Sequence, residues 1–271
     1  MCNKLLNLAS KILINKINTM KLFKTLIIAI AMIAITPLNA QTADEIINNY
    51  FENTGGSENW EKLEGTKMEA EADAQGMTIP VELLSTKDGK QLVKINLQGQ
   101  EMTQVSFDGE TMWTTNFMTM APEKSDQETT DNMKKQMKDF PSPLFNYKDK
   151  GYTVELIGNE TIEGTDTFKI KLTQEPLLVD GIEEANVTYY YFETENFVPI
   201  VTETKISQGP MKGQMSKTTL SDYEEVNGLY FPFSMNMGGQ TITIKNIVLN
   251  PEVTDAMFAF PATPTSTEGD K

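Results

Sequence analysis

Paired carboxylates are the side chains in this sequence whose spacing comes closest to a catalytic arrangement, because acid–base hydrolysis uses two of them. Glu183-Glu184 and Glu224-Glu225 are such pairs, but neighbouring side chains of an extended segment point in opposite directions. The chain has no His, and Cys2 is its single Cys. Ser-His-Asp and Cys-His catalysis are therefore excluded, as are His-ligated metal sites. We expect no enzymatic activity, no metal and no cofactor.

Methionine is the other unusual residue type, since thirteen of the 16 methionines follow residue 40 and several form pairs. The thioether side chain is flexible and polarisable, which suits a surface that accepts ligands of varied shape, although Met also fills gaps in irregular cores. An acyl chain is buried by apolar contact and needs no fixed polar partner. The predicted ligand-facing residues are Met112, Met118, Met120, Met133, Met137, Phe231, Phe233, Met235 and Met237.

The stretch Gln104–Met120 contains the first of these methionines and predicts two strands joined at Asp108-Gly109, a dipeptide suited to tight hairpins. In a strand that follows this turn, alternate residues lie on opposite faces of the sheet. Met112 then shares a face with the later methionines, whereas Trp113 and Phe117 share the other. Either face could line a cavity, and we favour the Met face.

The first forty residues have the features of an export signal. Met20–Lys24 is basic, Leu26–Ile35 is apolar, and Ala40 ends a small-residue cleavage site. We expect cleavage after Ala40, with Met20 as an alternative start, and a periplasmic mature protein. Removing residues 1–40, with five Lys and no acid, changes the formal charge from −15 to −20. So acidic a chain is not expected to bind nucleic acid.

The periodicity of the mature chain predicts a mainly β (α+β) protein. Thr42 and Glu45 have the spacing of a capping box, and Gly55-Gly56 ends the helix that they begin. From Thr66 onward, about eleven strands are separated by turn residues. An antiparallel sheet of that size must curl, and helices can cover its concave side. We expect a single domain over 41–261, a disordered tail over 262–271 and a monomer.

A polar helix interrupts the strands over residues 125–140. Ser125 and Glu128 suggest a second capping box, and Met133, Met137 and Phe140 form one narrow apolar stripe. So thin a stripe predicts a helix that lies lightly on the sheet. A movable lid and a surface helix that bridges two strands both fit this pattern.

Several short motifs, in their order along the chain, resemble the outer-membrane lipoprotein-sorting family, the LolA-like proteins. The residues that carry the resemblance are Tyr50–Gly56 with Trp60 and Leu63, Phe107–Trp113, Tyr147–Tyr152, Asp222–Pro232, Asp255, Phe258 and Pro261. The resemblance implies an unclosed, strongly curved antiparallel β-barrel with helices over its mouth. It also implies a hydrophobic cavity that shields the acyl chains of a lipoprotein between two membranes. An Arg that holds the lid helices in the best-known carriers has no counterpart here, because the chain contains no Arg.

Together these observations predict a periplasmic carrier that binds acyl chains of lipoproteins or other lipids, and that exchanges them with membrane-bound donor and acceptor proteins. The alternative is an envelope sensor or assembly module that does not transport lipid and binds a protein partner on the same concave face.

Overall fold

The alternating apolar pattern from Gly65 onward forms one large antiparallel sheet. The computed structural model describes residues 41–74, 76–207 and 211–261, so the predicted export signal and the predicted tail lie outside the described residues. The strands, in chain order, are β1 (Gly65–Ala74), β2 (Met77–Thr86), β3 (Gln91–Leu97), β4 (Gln100–Phe107), β5 (Met112–Thr115), β6 (Pro122–Lys124), β7 (Thr153–Ile162), β8 (Thr165–Thr173), β9 (Leu177–Val179), β10 (Ile182–Glu184), β11 (Val187–Glu193), β12 (Pro199–Lys205), β13 (Met215–Val226), β14 (Leu229–Met237) and β15 (Gln240–Leu249).

Thirteen of these strands form the sheet in the order β6-β5-β4-β3-β2-β1-β15-β14-β13-β12-β11-β8-β7, and β9 pairs with β10 in a separate hairpin. Most neighbours are consecutive in the chain, but β1 pairs with β15, so that the first and last strands meet in the middle of the sheet. Within the described residues the edge strands β6 and β7 do not pair with each other, and the sheet remains open. The predicted unclosed antiparallel β fold is confirmed, with fifteen strands in place of about eleven.

Two short helices precede the sheet and pack on one of its faces, the concave face. Helix α1 (Ala43–Asn53) begins at the predicted capping box, in which the Glu45 N–H donates to Thr42 Oγ1 at 3.2 Å and the Thr42 N–H donates to Glu45 Oε2 at 2.8 Å. Gly55 follows α1 with a φ of +125°, and a Cβ there would lie 2.1 Å from the Gly228 carbonyl oxygen. Only glycine fits this approach of the chain to the sheet. Helix α2 (Ser57–Glu61) comes next.

The main core lies between these helices and the concave face. Trp60 of α2 packs edge-to-face on Phe231 of β14, with ring centroids 5.2 Å apart, and on Phe51 of α1 at 5.9 Å. Its indole N–H donates to Thr54 Oγ1 at 3.2 Å, so the polar edge of the ring is also satisfied. Ile170 of β8, from the far side of the sheet, is completely buried in the same core. The helices therefore hold both halves of the sheet together.

The C-terminal segment, residues 251–261, covers part of the opposite face of the sheet, over β2 to β5. Phe258 is 0% exposed and packs against Leu84 of β2 and Leu92 of β3. The Phe258 carbonyl accepts hydrogen bonds from Trp113 Nε1 at 2.8 Å and from Ser106 Oγ at 2.9 Å. Trp113 thus belongs to the face that the C-terminal segment covers. Its neighbour Met112 lies on the concave face, since adjacent residues of a strand alternate.

The strand predicted to run to Met120 ends at Thr115. Asn116 stops it, because its side-chain oxygen accepts hydrogen bonds from the backbone N–H groups of Met118 at 2.8 Å and Thr119 at 3.0 Å. Such local side-chain bonds favour turns over strands. The chain then reverses and forms β6, which pairs with β5. The prediction of one continuous strand to Met120 was wrong for this reason.

The polar helix is shorter than predicted, and its N-cap is Asp126 rather than Ser125. Helix α3 (Gln127–Met137) has Asp126 as its N-cap, whose carboxylate accepts the Thr129 N–H at 2.7 Å. Ser125 instead donates its N–H to the Met112 carbonyl at 2.9 Å and continues the turn from β6. Glu128 does not complete a capping box, because its carboxylate accepts the N–H groups of Asp180 and Gly181 in the β9–β10 turn.

Replacing Phe258 with Ala is expected to lower the free energy of unfolding by about 3 kcal/mol or more, because the ring is completely buried and its loss leaves a cavity. Denaturant unfolding followed by Trp fluorescence measures this change. Met257→Ala is the matched control, since Met257 is 40% exposed, and should change stability by less than about 0.5 kcal/mol. Equal effects of the two substitutions would show that the C-terminal segment does not seal this face.

Candidate functional site

A cavity of about 410 Å³ lies between the concave face and the chain that follows α3. Strand residues on the concave face make its floor, α1 and α2 make one wall, and residues 136–143, the cover segment, make the other. The apolar and aromatic lining residues are Tyr50, Trp60, Leu63, Met68, Leu83, Met137, Phe140, Pro141, Pro143, Tyr190, Pro199, Leu220, Tyr223, Tyr230, Phe231 and Pro232. The polar and charged ones are Thr66, Ser85, Thr86, Gln91, Gln136, Asp139 and Ser142.

The floor follows from strand register. Met68 of β1 pairs with Leu83 of β2, and Leu220 of β13 pairs with Met235 of β14. Cross-strand partners lie on the same face of a sheet, and Met235 packs against the concave core. These side chains therefore extend the apolar core surface into the cavity floor without closing it, since Met68, Leu83 and Leu220 are only half-buried.

Four tyrosines line the cavity, and burial raises the pKa of three of them. The pKa of Tyr50 is raised to about 12, and the pKa values of Tyr190 and Tyr223 are also raised by burial. The Tyr223 hydroxyl donates to the Pro199 carbonyl at 2.7 Å. Among the described residues, no hydrogen-bond partner is found for the hydroxyls of Tyr50 and Tyr190. The wall thus offers apolar rings with a few polar atoms.

The cover segment carries the one charged group of the lining, Asp139. Its Oδ2 accepts a hydrogen bond from Gln174 Nε2 at 2.7 Å, while Oδ1 is buried without a hydrogen-bond partner in the described part of the chain. Lys150 Nζ lies 3.8 Å from Oδ1 and donates to the Ser142 carbonyl at 2.9 Å. Desolvation raises the pKa of Asp139 and lowers the pKa of Lys150. This partly buried pair fixes the cover segment to the chain that follows it.

Helix α3, whose last two residues begin the cover segment, is fastened to the β9–β10 hairpin. The Asn132 side chain exchanges two hydrogen bonds with the Leu178 backbone, at 2.6 and 2.9 Å, and Lys135 Nζ donates to the Pro176 carbonyl at 2.6 Å. With the two bonds accepted by Glu128, these contacts join helix and hairpin along the whole length of α3. Any movement of α3 would therefore carry the hairpin with it.

Two of the nine predicted site residues, Met137 and Phe231, line the cavity. Phe233 and Met235 pack beside it against the concave core, and Met133 is buried on α3.

The other four predicted site residues lie elsewhere. Met112 is half-buried on β5, and Met120 lies in the turn that Asn116 makes. Met118, at the tip of this turn, is 94% exposed, and Met237, at the end of β14, is 46% exposed. The structure therefore separates Met118 and Met237 from the cavity: a turn replaces the strand expected at Met118, and Met237 lies at the predicted end of its strand.

The sequence reasoning missed the tyrosines and the cover segment. Tyr190 alternates with Phe192 on β11, and Tyr50 belongs to the apolar stripe of α1, so periodicity places both toward the core. It does not tell which core-facing residues border a void, because that depends on contacts between distant segments.

In the part of the chain that the structure describes, no group of three or more acidic, His or Cys residues is arranged to hold a metal ion. None of the described helices combines the length and the apolar character needed to cross a membrane.

Alkaline titration should reveal the buried tyrosines. Tyr50 stays protonated in the folded state up to a pKa of about 12, whereas an unfolded tyrosine ionises near 10. The unfolded state therefore releases this proton first, and folding stability falls as pH rises from about 10 to 12. Between pH 9 and 11, the free energy of unfolding of Tyr50→Phe should therefore fall by about 1 kcal/mol less than that of the unmodified protein.

Denaturant unfolding at pH 9 and 11 measures this difference, and tyrosinate absorbance should show one fewer late-ionising residue. Tyr230→Phe, which alters an exposed residue of β14, is the control for loss of a hydroxyl. An unchanged pH dependence in Tyr50→Phe would mean that this ring is not sealed from solvent.

No protein-family model and no curated protein sequence matches the chain. Among solved structures, a LolA superfamily protein from Nitrosomonas europaea is 15% identical, and the match covers 81% of this chain and 98% of that one with a TM-score of 0.50. An outer membrane lipoprotein-sorting protein domain from Vibrio parahaemolyticus is 14% identical, with 79% and 94% covered and a TM-score of 0.48. The first of these similarities shows that the chain has the fold of a LolA superfamily protein, as the sequence motifs predicted.

Proposed function

We propose that this protein is a periplasmic carrier that shields an acyl chain, from a lipid or a lipoprotein, inside the cavity on its concave face. The observation that carries the proposal is the lining of that cavity, most of which is apolar or aromatic. A void of about 410 Å³ with such walls falls in the size range of small-molecule sites, roughly 300–1,000 Å³.

The binding energy would come from burial alone. Each methylene group moved from water to apolar surroundings contributes about 0.8 kcal/mol, so a chain of ten such groups gains roughly 8 kcal/mol before the costs of ordering. Met68, Met137 and the aromatic rings can adapt to a flexible chain without fixed polar contacts. Such a site holds lipid tightly and with little selectivity for chain structure.

Loading and release need a path to the cavity, and the cover segment bounds the cavity on one side. It joins α3, which is bound to the β9–β10 hairpin through polar contacts. Because these contacts join α3 to the hairpin, the two would move as one body with the cover segment. We assign the lid role to α3, the hairpin and the cover segment together. A membrane-bound donor would open this unit, and an acceptor with higher affinity would take the lipid.

The alternative, a sensor or assembly module that binds a protein partner on the concave face, has less support. Phe51, Trp60 and their neighbours already fill much of that face. A protein partner would have to displace this packed core, whereas an acyl chain needs only the existing void. Catalysis is not part of the proposal, since Asp139 is the single carboxylate in the lining.

Filling the cavity should abolish lipid binding. Leu220→Trp places a larger side chain in the floor, and we expect a loss of affinity for an uncharged naphthylamine probe of at least tenfold, with the circular dichroism spectrum retained. If Leu220→Trp does not fold, Leu83→Trp on β2 fills the cavity from a different strand and makes the same test. Fluorescence titration of the delipidated protein measures the affinity.

Met118→Trp is the matched control, because Met118 is almost fully exposed in the β5–β6 turn, and it should bind the probe normally. The untreated protein purified from cells should also carry lipid that mass spectrometry detects. Absence of co-purified lipid, together with no probe binding by the unmodified protein, would refute the carrier function and favour the protein-binding alternative.

A further inference from the structure

Five of the connections between strands lie at the same end of the sheet, because alternate connections of an antiparallel sheet do so. The strand residues that flank them pair as Ala74–Met77, Leu97–Gln100, Thr115–Pro122, Lys205–Met215 and Met237–Gln240. Asp73 of β1 pairs with Thr241 of β15, which aligns the two halves of the sheet. We call the connecting segments 75–76, 98–99, 116–121, 206–214 and 238–239, with these flanking residues, the rim.

The rim exposes a group of large apolar side chains. Twelve such side chains are exposed in the part of the chain that the structure describes, and the seven at the rim are Met77, Leu97, Phe117, Met118, Met211, Met215 and Met237. Single exposed apolar residues are common on soluble proteins, whereas a group of them marks a surface that contacts another apolar body. The rim is therefore a candidate docking surface.

The rim also differs in charge from the rest of this acidic chain. Its five connecting segments contain no Asp or Glu, although the chain has 38 acidic residues, and Lys212 is their single charged residue. At the other end of the sheet, four of the five turns contain acid, namely Asp88, Asp108, Glu110, Glu163 and Glu195. Only the rim can therefore approach an apolar body without desolvating the carboxylates of its own turns, which would be costly.

The acidic β9–β10 hairpin leaves the sheet from the same end, between β8 and β11, and packs against α3. Two of its carboxylates lie beside the rim, and both are paired with Lys. Asp180 lies 2.7 Å from Lys212 Nζ, and Glu184 lies 2.8 Å from Lys205 Nζ. These ion pairs neutralise the nearby acid, so the hairpin does not give the rim a negative charge.

The β5–β6 turn, residues 116–121, holds its apolar side chains in a defined conformation. The backbone N–H groups of Met118 and Thr119 donate to Asn116 Oδ1, and that of Met120 donates to the Asn116 carbonyl at 2.8 Å. The Asn116 N–H donates to the Ala121 carbonyl at 2.8 Å. Unpaired backbone groups are what makes an irregular segment costly in lipid. This turn pairs most of its own donors, so it can enter the edge of a bilayer.

We propose that the rim is a membrane-docking surface whose apolar side chains enter the interface of a bilayer with no net surface charge. The rim side chains stand on separate hairpins, and a fluid bilayer accommodates separate tips. A second copy of the chain would instead need one continuous, self-complementary patch. Docking brings the carrier to a membrane and does not itself transfer lipid. The inference goes beyond the proposed function, because it does not depend on the cavity.

Flotation of the mature protein with phosphatidylcholine vesicles tests the proposal. We expect association that does not change between about 0.1 and 1 M salt, because apolar insertion is not screened. Adding phosphatidylglycerol to the vesicles should weaken association, since the rest of the protein is acidic. The double substitution Phe117→Ser with Met118→Ser should lower the vesicle partition coefficient by about tenfold or more. Circular dichroism checks that this variant folds.

The matched control is the double substitution Val248→Ser with Met257→Ser. These residues are 41% and 40% exposed and lie away from the rim, so association should be unchanged. No association of the unmodified protein with phosphatidylcholine, or an equal loss in this control, would overturn the proposal. A concentration-dependent dimer in sedimentation velocity that the Phe117→Ser, Met118→Ser variant abolishes would also overturn it, because the rim would then bind a second copy.

Two further variants separate docking from lipid carriage. In Met118→Trp, the introduced indole should shift its emission to shorter wavelength on vesicles and be quenched by brominated phosphatidylcholine. Leu220→Trp, which fills the cavity, should dock as the unmodified protein does, and the Phe117→Ser, Met118→Ser variant should still bind the naphthylamine probe. Loss of vesicle association in Leu220→Trp would place the contact at the cavity and contradict docking through the rim.

Discussion

An antiparallel sheet can leave one face in water but must bury its apolar face, and the rest of this structure depends on how incompletely the concave face is covered. On the concave face, α1 and α2 contribute Phe51 and Trp60, which reach strands from both halves of the sheet. Two helices of 11 and 5 residues cannot cover thirteen strands. The uncovered area lies next to the core, so it is walled by the same apolar side chains. The cavity is therefore a consequence of the mismatch between a wide sheet and two short helices.

Part of the other face, over β2 to β5, is also covered. The C-terminal segment buries Phe258 against Leu84 and Leu92, and its carbonyl satisfies the polar atoms of Trp113 and Ser106. Because these partners lie on β2 to β5, this half of the sheet is stiffened from behind. The cavity floor includes Leu83, the neighbour of Leu84. This stiffened floor faces the cover segment across the cavity, and polar contacts hold α3, which leads into that segment, to the β9–β10 hairpin.

Much of the fold could be predicted from the sequence, because period-two alternation and turn residues are local. The capping box of Thr42 and Glu45 was predicted correctly for the same reason. Short strands such as β6 and β9 were missed, since three residues give no periodicity. The site was predicted less well: Met137 and Phe231 line the cavity, but Met118 does not, because Asn116 turns the chain away. Membership of a cavity wall depends on long-range packing, which a single sequence does not encode locally.

The placement of charge connects the cavity to the chain as a whole. Acidic residues outnumber Lys by a wide margin, and the Lys residues are largely engaged by them in surface pairs such as Lys67–Glu82 at 2.8 Å and Lys94–Glu101 at 2.8 Å. Isolated pairs of this kind add little stability. They do neutralise the Lys side chains that an anionic lipid would otherwise contact. A surface rich in acid keeps the protein soluble and discourages adsorption to anionic membranes. The proposed transfer of lipid would therefore depend on specific contacts with a partner rather than on general attraction to a bilayer.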